Sequence, residues 1–249
     1  TSLTDEVLAW ADYAFISSMV VQRTSAQQII KRCKELGVKV VAGGPLFTSE
    51  HEQFENVDHF VLNEAELTLP PFLEDLNNNC AKRVYSTAHF ADIQKTPTPL
   101  WELADLRQYA SMSIQYTRGC PYHCEFCNVT SLFGRNPRTK TPEQIVAELD
   151  SFYRMGWRGS VFFVDDNLIG NKKSLKNQLL PALIKWQKEH VPIPFNTEVS
   201  INVADDESLM QMMSEAGFNT VFVGIETPDT EGLAECNKKQ NKNRNLVED

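Results

Sequence analysis

Short apolar strands alternate with amphipathic helices along this 249-residue chain, and that alternation confines it to α/β architectures built on parallel sheets. The first series predicts strands at 12–21 (DYAFISSMVV), 38–44 (VKVVAGG) and 57–66 (VDHFVLNEAE). Between the first two lies SAQQIIKRCKELG, with Ile29, Ile30, Cys33 and Leu36 on one helical face and Gly37 where a C-terminal cap belongs. Three strands of this kind imply an incomplete Rossmann-like layer over residues 1–76. Residues 77–110, with NNNC and TPTPLWEL and few periodic apolar positions, read as a linker.

A second series occupies residues 111–249 in the order βαβαβαβ. Its strands are SMSIQYTRG, GSVFFVDDN, FNTEVSINV and NTVFVGIET. Thr141, Pro142 and Gln144 open the first helix as N-cap, first-turn proline and capping-box partner, and Gly156 ends it. The helix after GSVFFVDDN should bend at Pro181. Near-continuous apolar strands in this order fit a partial (β/α) TIM-like barrel, whose reactive face is the C-terminal ends of its strands. Asp165, Asp166 and Asn167 end the second strand, Glu198 lies in the third, and Gly224 to Glu226 end the fourth. Four strands cannot close a barrel, so the expectation is an open barrel or further strands outside this sequence. The start at Thr1 and the end in NLVED, which reads as a helix opening, suggest a chain cut at both ends.

The loop after the first barrel strand, RGCPYHCEFCNVT, carries Cys120, Cys124 and Cys127 of only six cysteines. Six is too few for a disulfide scaffold in a chain of this length, and clustering points to metal or redox chemistry in a reducing, cytoplasmic setting. Three local thiolates on a four-iron cluster leave one iron open to substrate or cofactor, the property that separates a catalytic metal site from a closed one. A zinc site with His123 as fourth ligand is the competing reading, but His123 adjoins Cys124 and zinc ligand pairs are more widely arranged. Cys33 sits on an apolar helix face and reads as core; Cys80 and Cys236 read as loop thiols. Either loop thiol as a fourth ligand would make the chain an iron–sulfur electron carrier or redox sensor instead. Lys plus Arg (24) against Asp plus Glu (33) gives a formal charge of −9, which disfavours nucleic acid as a partner. No apolar run approaches the ~18 residues of a membrane span, so no transmembrane segment is expected.

The spacing Cys120-x3-Cys124-x2-Cys127, with Phe126 before the third cysteine and a strand before the loop, resembles the radical SAM superfamily. SSMVV, VVAGGP and VLNEAE resemble the later strands of a cobalamin-binding domain, and FVDDN, TEVSIN and FVGIETP resemble strands of cobalamin-dependent radical SAM proteins. RGCPYHCEFCNVT, GRNPRTKT and VFFVDDNLIGNKK are most similar to the branch that includes the hopanoid C-2 methylase. The resemblance implies a 4Fe-4S cluster on Cys120, Cys124 and Cys127 and S-adenosylmethionine chelated to the open iron. Reductive cleavage would then yield a 5′-deoxyadenosyl radical, and cobalamin would deliver methyl to an unactivated carbon. It implies adenine near the Phe126 backbone, and ribose or methionyl groups near Asp166, Glu198 and Glu226. Asn167 and Gly224 join them as S-adenosylmethionine contacts, and Ser17, Ser18, Gly43 and Gly44 are placed at the cobalamin nucleotide tail. The expected partners are a small-molecule or lipid-like substrate and an electron donor such as flavodoxin or ferredoxin.

The family's early Asp-x-His-x-x-Gly loop, which supplies a histidine to cobalt, does not occur in the chain. An RNA-modifying methylthiotransferase is the enzymatic alternative, but it needs a second cysteine set that Cys33 and Cys80 do not make convincing. Asp165 reads equally well as a turn residue, Met210, Met212 and Met213 as packing, Arg135, Arg138 and Lys140 as a solvated basic cluster, and NKKQNKNRN as a mobile polar loop.

Overall fold

The computed structural model describes residues 3–242 and 244–245. It divides between Ala91 and Asp92 into two units, and the predicted linker segment is shared between them. Of the terminal reading NLVED, all but Asn245 lies outside the described residues.

The first unit holds β1 (Tyr13–Ser17), β2 (Lys39–Gly43), β3 (His59–Val61) and β4 (Val84–Tyr85), hydrogen-bonded in that order and all parallel. Its helices are α1 (Asp5–Ala9), α2 (Arg23–Glu35), α3 (Pro45–Glu50) and α4 (Ala65–Asn77). Strand alternation sends Val40, Ala42 and Phe60 into one core with Ala26, Ile30 and Cys33 of α2, and Val41 and Val61 into another with Phe72 of α4 and Tyr85. The sheet thus has four strands, not three. Arg83 and Tyr85 accept backbone bonds from Phe60 and Leu62, which makes a strand of a two-residue segment too short to carry a periodic signal. The predicted strand over 12–21 stops at Ser17, and Val20–Gln22 turn as a 3-10 helix.

In the second unit β5 (Met112–Ile114), β8 (Val161–Phe163), β9 (Phe195–Val199) and β10 (Phe218–Val223) form a parallel sheet in the order β10-β9-β8-β5. A separate antiparallel ladder pairs β6 (Thr117–Arg118) with β7 (Arg138–Thr139). The helices are α5 (Val129–Phe133), α6 (Pro142–Arg154), α7 (Lys172–Ser174), α8 (Leu180–Glu189), α9 (Glu207–Glu215) and α10 (Thr230–Glu235). The capping box of α6 forms as predicted: Gln144 N–H donates to Thr141 Oγ1 at 3.3 Å and Thr141 N–H to Gln144 Oε1 at 2.9 Å. Leu175–Leu179 widen into a π-helical turn just before Pro181, which lies in the first turn of α8. Phe163, Phe195 and Phe218, from three adjacent strands, meet with ring centroids 5.0–5.5 Å apart. Burying each is worth roughly 1.5–3 kcal/mol, so the triangle ties β8, β9 and β10 together, with the β10 register shifting just beyond it between Phe218 and Thr220.

Candidate active site

Chain geometry holds the cysteine loop at its base. Thr117 and Arg118 pair with Thr139 and Arg138, so residues 119–137 leave and return at one point. Gly119, at φ +99°, lets the chain pass the Gly134 carbonyl, to which Cys120 N–H donates at 3.3 Å. A side chain at Gly119 would put Cβ 2.9 Å from that oxygen. Asp165, 1 % exposed, accepts from the backbone N–H groups of Tyr116 (3.2 Å) and Thr117, tying the loop's entry to the end of β8. Burial pushes its carboxyl up to about 6 despite those bonds. Asp165 therefore serves the fold, the turn-residue side of its two readings.

The C-terminal strand ends enclose a cavity of about 430 Å³. Its wall brings together Cys120, Cys124, Cys127, Phe126, Asp166, Asn167, Glu198, Gly224 and Glu226. Burial and then the nearby Glu198 carboxylate raise the carboxyl of Asp166, so two acids of like charge share one wall of the cavity. Glu226 holds a left-handed backbone at φ +66°, an uncommon conformation for a residue with a long side chain. Burial pushes the Cys120 thiol up, opposed by a hydrogen bond from the Tyr122 backbone. Asn167 Oδ1 accepts from Ser200 N–H at 3.1 Å, while its buried Nδ2 has no hydrogen-bond partner among the described residues.

Sequence reasoning missed part of the wall. Tyr122, Val129, Ser200, Phe222, Lys238 and Gln240 also line the cavity. Lys238 is 7 % exposed, forms an ion pair with Glu226, and places Nζ 5.5 Å from the centre of the Phe126 ring. The segment expected to be a mobile polar loop is thus docked over 237–241. Asn237 Nδ2 donates to the His123 carbonyl at 2.7 Å, and Asn241 Nδ2 donates to the Gly224 and Ile225 carbonyls at 2.9 and 3.0 Å. Its polar composition hid side chains whose partners are backbone groups far away in sequence. No local signal could have found them.

The donor set suits a cluster better than a single ion. Among the described residues, no three His, Cys, Asp or Glu side chains converge tightly enough for one metal ion, and a cluster spreads its ligands over separate corners. His123 is exposed, with Nδ1 3.3 Å from Thr130 Oγ1. Cys236 is close in backbone, accepting from Glu125 N–H at 3.0 Å, but its Sγ lies 3.8 Å from the Leu233 carbonyl and it does not line the cavity. Cys33 is buried in the core of the first unit, and the exposed Cys80 lies 3.8 Å from Asp75 Oδ1.

In the first unit Ser17, Ser18, Gly43 and Gly44 meet at the ends of β1 and β2. Gly44 has φ +84°, and a Cβ there would lie 2.7 Å from Ser17 Oγ and 3.0 Å from Ser18 N. A Cβ on Gly43 would lie 2.6 Å from the Val61 carbonyl. The chain itself fills the space that these glycines leave. Ser17 and Ser18 also edge a largely apolar groove of about 500 Å³ with Trp10, Phe15 and Ile29.

Residues 114–247 match the model of the Radical SAM superfamily. An uncharacterized methyltransferase of Synechocystis is 45% identical over 250 residues, 99% of this chain and 46% of that protein. The hopanoid C-2 methylase of Rhodopseudomonas palustris is 40% identical over 243 residues, 96% of this chain and 46% of its own. The chain therefore spans about half the length of these curated relatives. Among solved structures, the radical S-adenosylmethionine methyltransferase TsrM from Kitasatospora setae, with cobalamin and a 4Fe-4S cluster bound, superposes with a TM-score of 0.75 at 15% identity. That match covers 97% of this chain and 56% of TsrM, and at this identity it speaks for the fold.

Proposed function

Because the chain belongs to the radical SAM superfamily, we propose that it works as a cobalamin-dependent radical SAM methyltransferase on an unactivated carbon of a small, lipid-like substrate. When bound, a 4Fe-4S cluster with S-adenosylmethionine supplies a 5′-deoxyadenosyl radical, and cobalamin supplies methyl. Cys120, Cys124 and Cys127 hold the cluster as thiolates. Asp166 and Glu198 lower their mutual repulsion by taking the ammonium of S-adenosylmethionine, and Glu226 accepts from ribose hydroxyls. Phe126 offers an aromatic face and a backbone edge to adenine. Ser17 and Ser18, at the strand ends of the first unit, mark the side on which the cobalamin tail binds, and Gly43 and Gly44 allow its turn to close. A one-electron protein donor such as flavodoxin or ferredoxin completes the cycle.

The observation that carries this reading is the single cavity that joins three clustered thiols to two like-charged carboxylates from separate strands. The lipid-like substrate is supported by the relative that methylates a hopanoid. No helix among the described residues is long and apolar enough to cross a membrane. The test is anaerobic reconstitution of the full-length protein with iron and sulfide, then incubation with S-adenosylmethionine, a reductant and cobalamin. Release of 5′-deoxyadenosine and a corrin spectrum retained through gel filtration are expected. A protein that assembles no cluster overturns the reading, and one that cleaves without retaining cobalamin overturns methyl transfer alone.

A further inference from the structure

A side-chain amide from a segment far from the cysteine loop in sequence reaches one of its sulfurs. Gln240 Nε2 lies 3.6 Å from Cys124 Sγ. Its Oε1 is buried with no partner among the described residues, so the contact with Cys124 is the one that accounts for the orientation of this amide there. The segment presenting Gln240 is fixed on both sides of it. Glu125 N–H donates to the Cys236 carbonyl at 3.0 Å and Asn237 holds His123, while Asn241 holds Gly224 and Ile225.

We propose that Gln240 donates an N–H···S hydrogen bond to the thiolate of Cys124 and thereby raises the reduction potential of the cluster that Cys120, Cys124 and Cys127 hold. The proposal rests on the cluster reading above. One-electron reduction, with the electron taken from a low-potential donor, adds negative charge that the cluster shares with its thiolates. A donor aimed at a thiolate therefore stabilises the reduced state more than the oxidised one. Gln240 lies outside the cysteine motif, in a polar stretch docked beside it.

The experiment is a potentiometric titration, followed by spin-resonance spectroscopy, of the anaerobically reconstituted full-length protein and its Gln240→Leu variant, with iron and sulfide content measured on each sample. Gln240→Leu should keep its iron and disfavour reduction about tenfold, a fall of ~59 mV for a one-electron couple. A fully loaded Gln240→Leu protein with the wild-type potential overturns the proposal. If Gln240→Leu loses iron, Gln240→Asn decides: it keeps an amide but shortens its reach, so a lowered potential supports the hydrogen bond and an unchanged one overturns it. Failure of the wild-type protein itself to load a cluster is a separate result, which sinks the cluster reading.

Discussion

The two units present their candidate residues in opposite ways. In the second unit reactive side chains from four elements line one cavity, and little else in the fold explains why three thiols and three acids should share it. In the first, Ser17, Ser18, Gly43 and Gly44 also come together, but there each glycine already has a packing reason. Reactive groups are costly to bury without partners, so their convergence points to a ligand. Small residues are silent on that question, because close approach of the chain to itself and of a ligand to the chain require the same missing atoms.

The sharpest way to break the contrast is Cys124→Ala in the full-length protein. Iron retention should fall and 5′-deoxyadenosine formation should drop to background, with the fold preserved by circular dichroism. A variant that still cleaves S-adenosylmethionine would make the cavity's convergence incidental. The matching test in the first unit is Gly44→Ala. It forces a side chain to φ +84° and into contact with Ser17 and Ser18, and should destabilise that unit by roughly 2–4 kcal/mol. Gly37→Ala, at φ +73° with open space around it, should cost only about 1–2 kcal/mol. Thermal unfolding measures both. A Gly44→Ala protein of wild-type stability that no longer retains cobalamin would show that the glycine serves the ligand and not the chain.

Neighbouring acids give a second contrast. Asp166 and Asp165 are adjacent, yet one lines the cavity and the other is sealed behind the loop. Asp165 titrates near 3.8 when unfolded and about 6 when folded, so the folded state binds its proton more tightly. Its contribution is fully present below pH ~3.8 and is lost as pH rises through about 6, a difference of roughly 2–3 kcal/mol. Urea unfolding between these limits should show that decline in the wild type and lose it in Asp165→Asn. An identical slope in both proteins would place the titrating group elsewhere.

Legibility followed the range of the interactions. The α6 capping box, the β5, β8, β9 and β10 strands and the cysteine loop depend on neighbours within a few residues, and those were readable. β4 was not, because Val84 and Tyr85 form a strand only where β3 offers them an edge. Nor were Lys238 and Gln240, whose partners Glu226 and Cys124 lie 12 and 116 residues away. Asp165 and Asp166 were indistinguishable by type or spacing; the family resemblance favoured Asp166 for the site, and the structure seals Asp165 behind the loop while Asp166 lines the cavity.

The smallest effect concerns a third acid whose sign is reversed. Asp206 caps α9 by accepting from Leu209 N–H at 3.0 Å, and Lys176 Nζ sits 2.9 Å from each of its oxygens. The Lys176 hydrogen bonds, with those from Ser208 and Leu209, lower its carboxyl to about 2. Its contribution is therefore present above pH ~3.8 and lost as pH falls through about 2, the reverse of Asp165. Both partners remain in contact with solvent, which screens the pair and keeps the effect small. Asp206→Asn separates cap from charge, since asparagine caps a helix as well as aspartate does. The variant should be slightly less stable than wild type at about pH 5, and the gap should close as the solution approaches about pH 2, where the wild-type carboxyl also becomes neutral. A gap of constant size across that range would assign the whole stabilisation to the cap and none to Lys176.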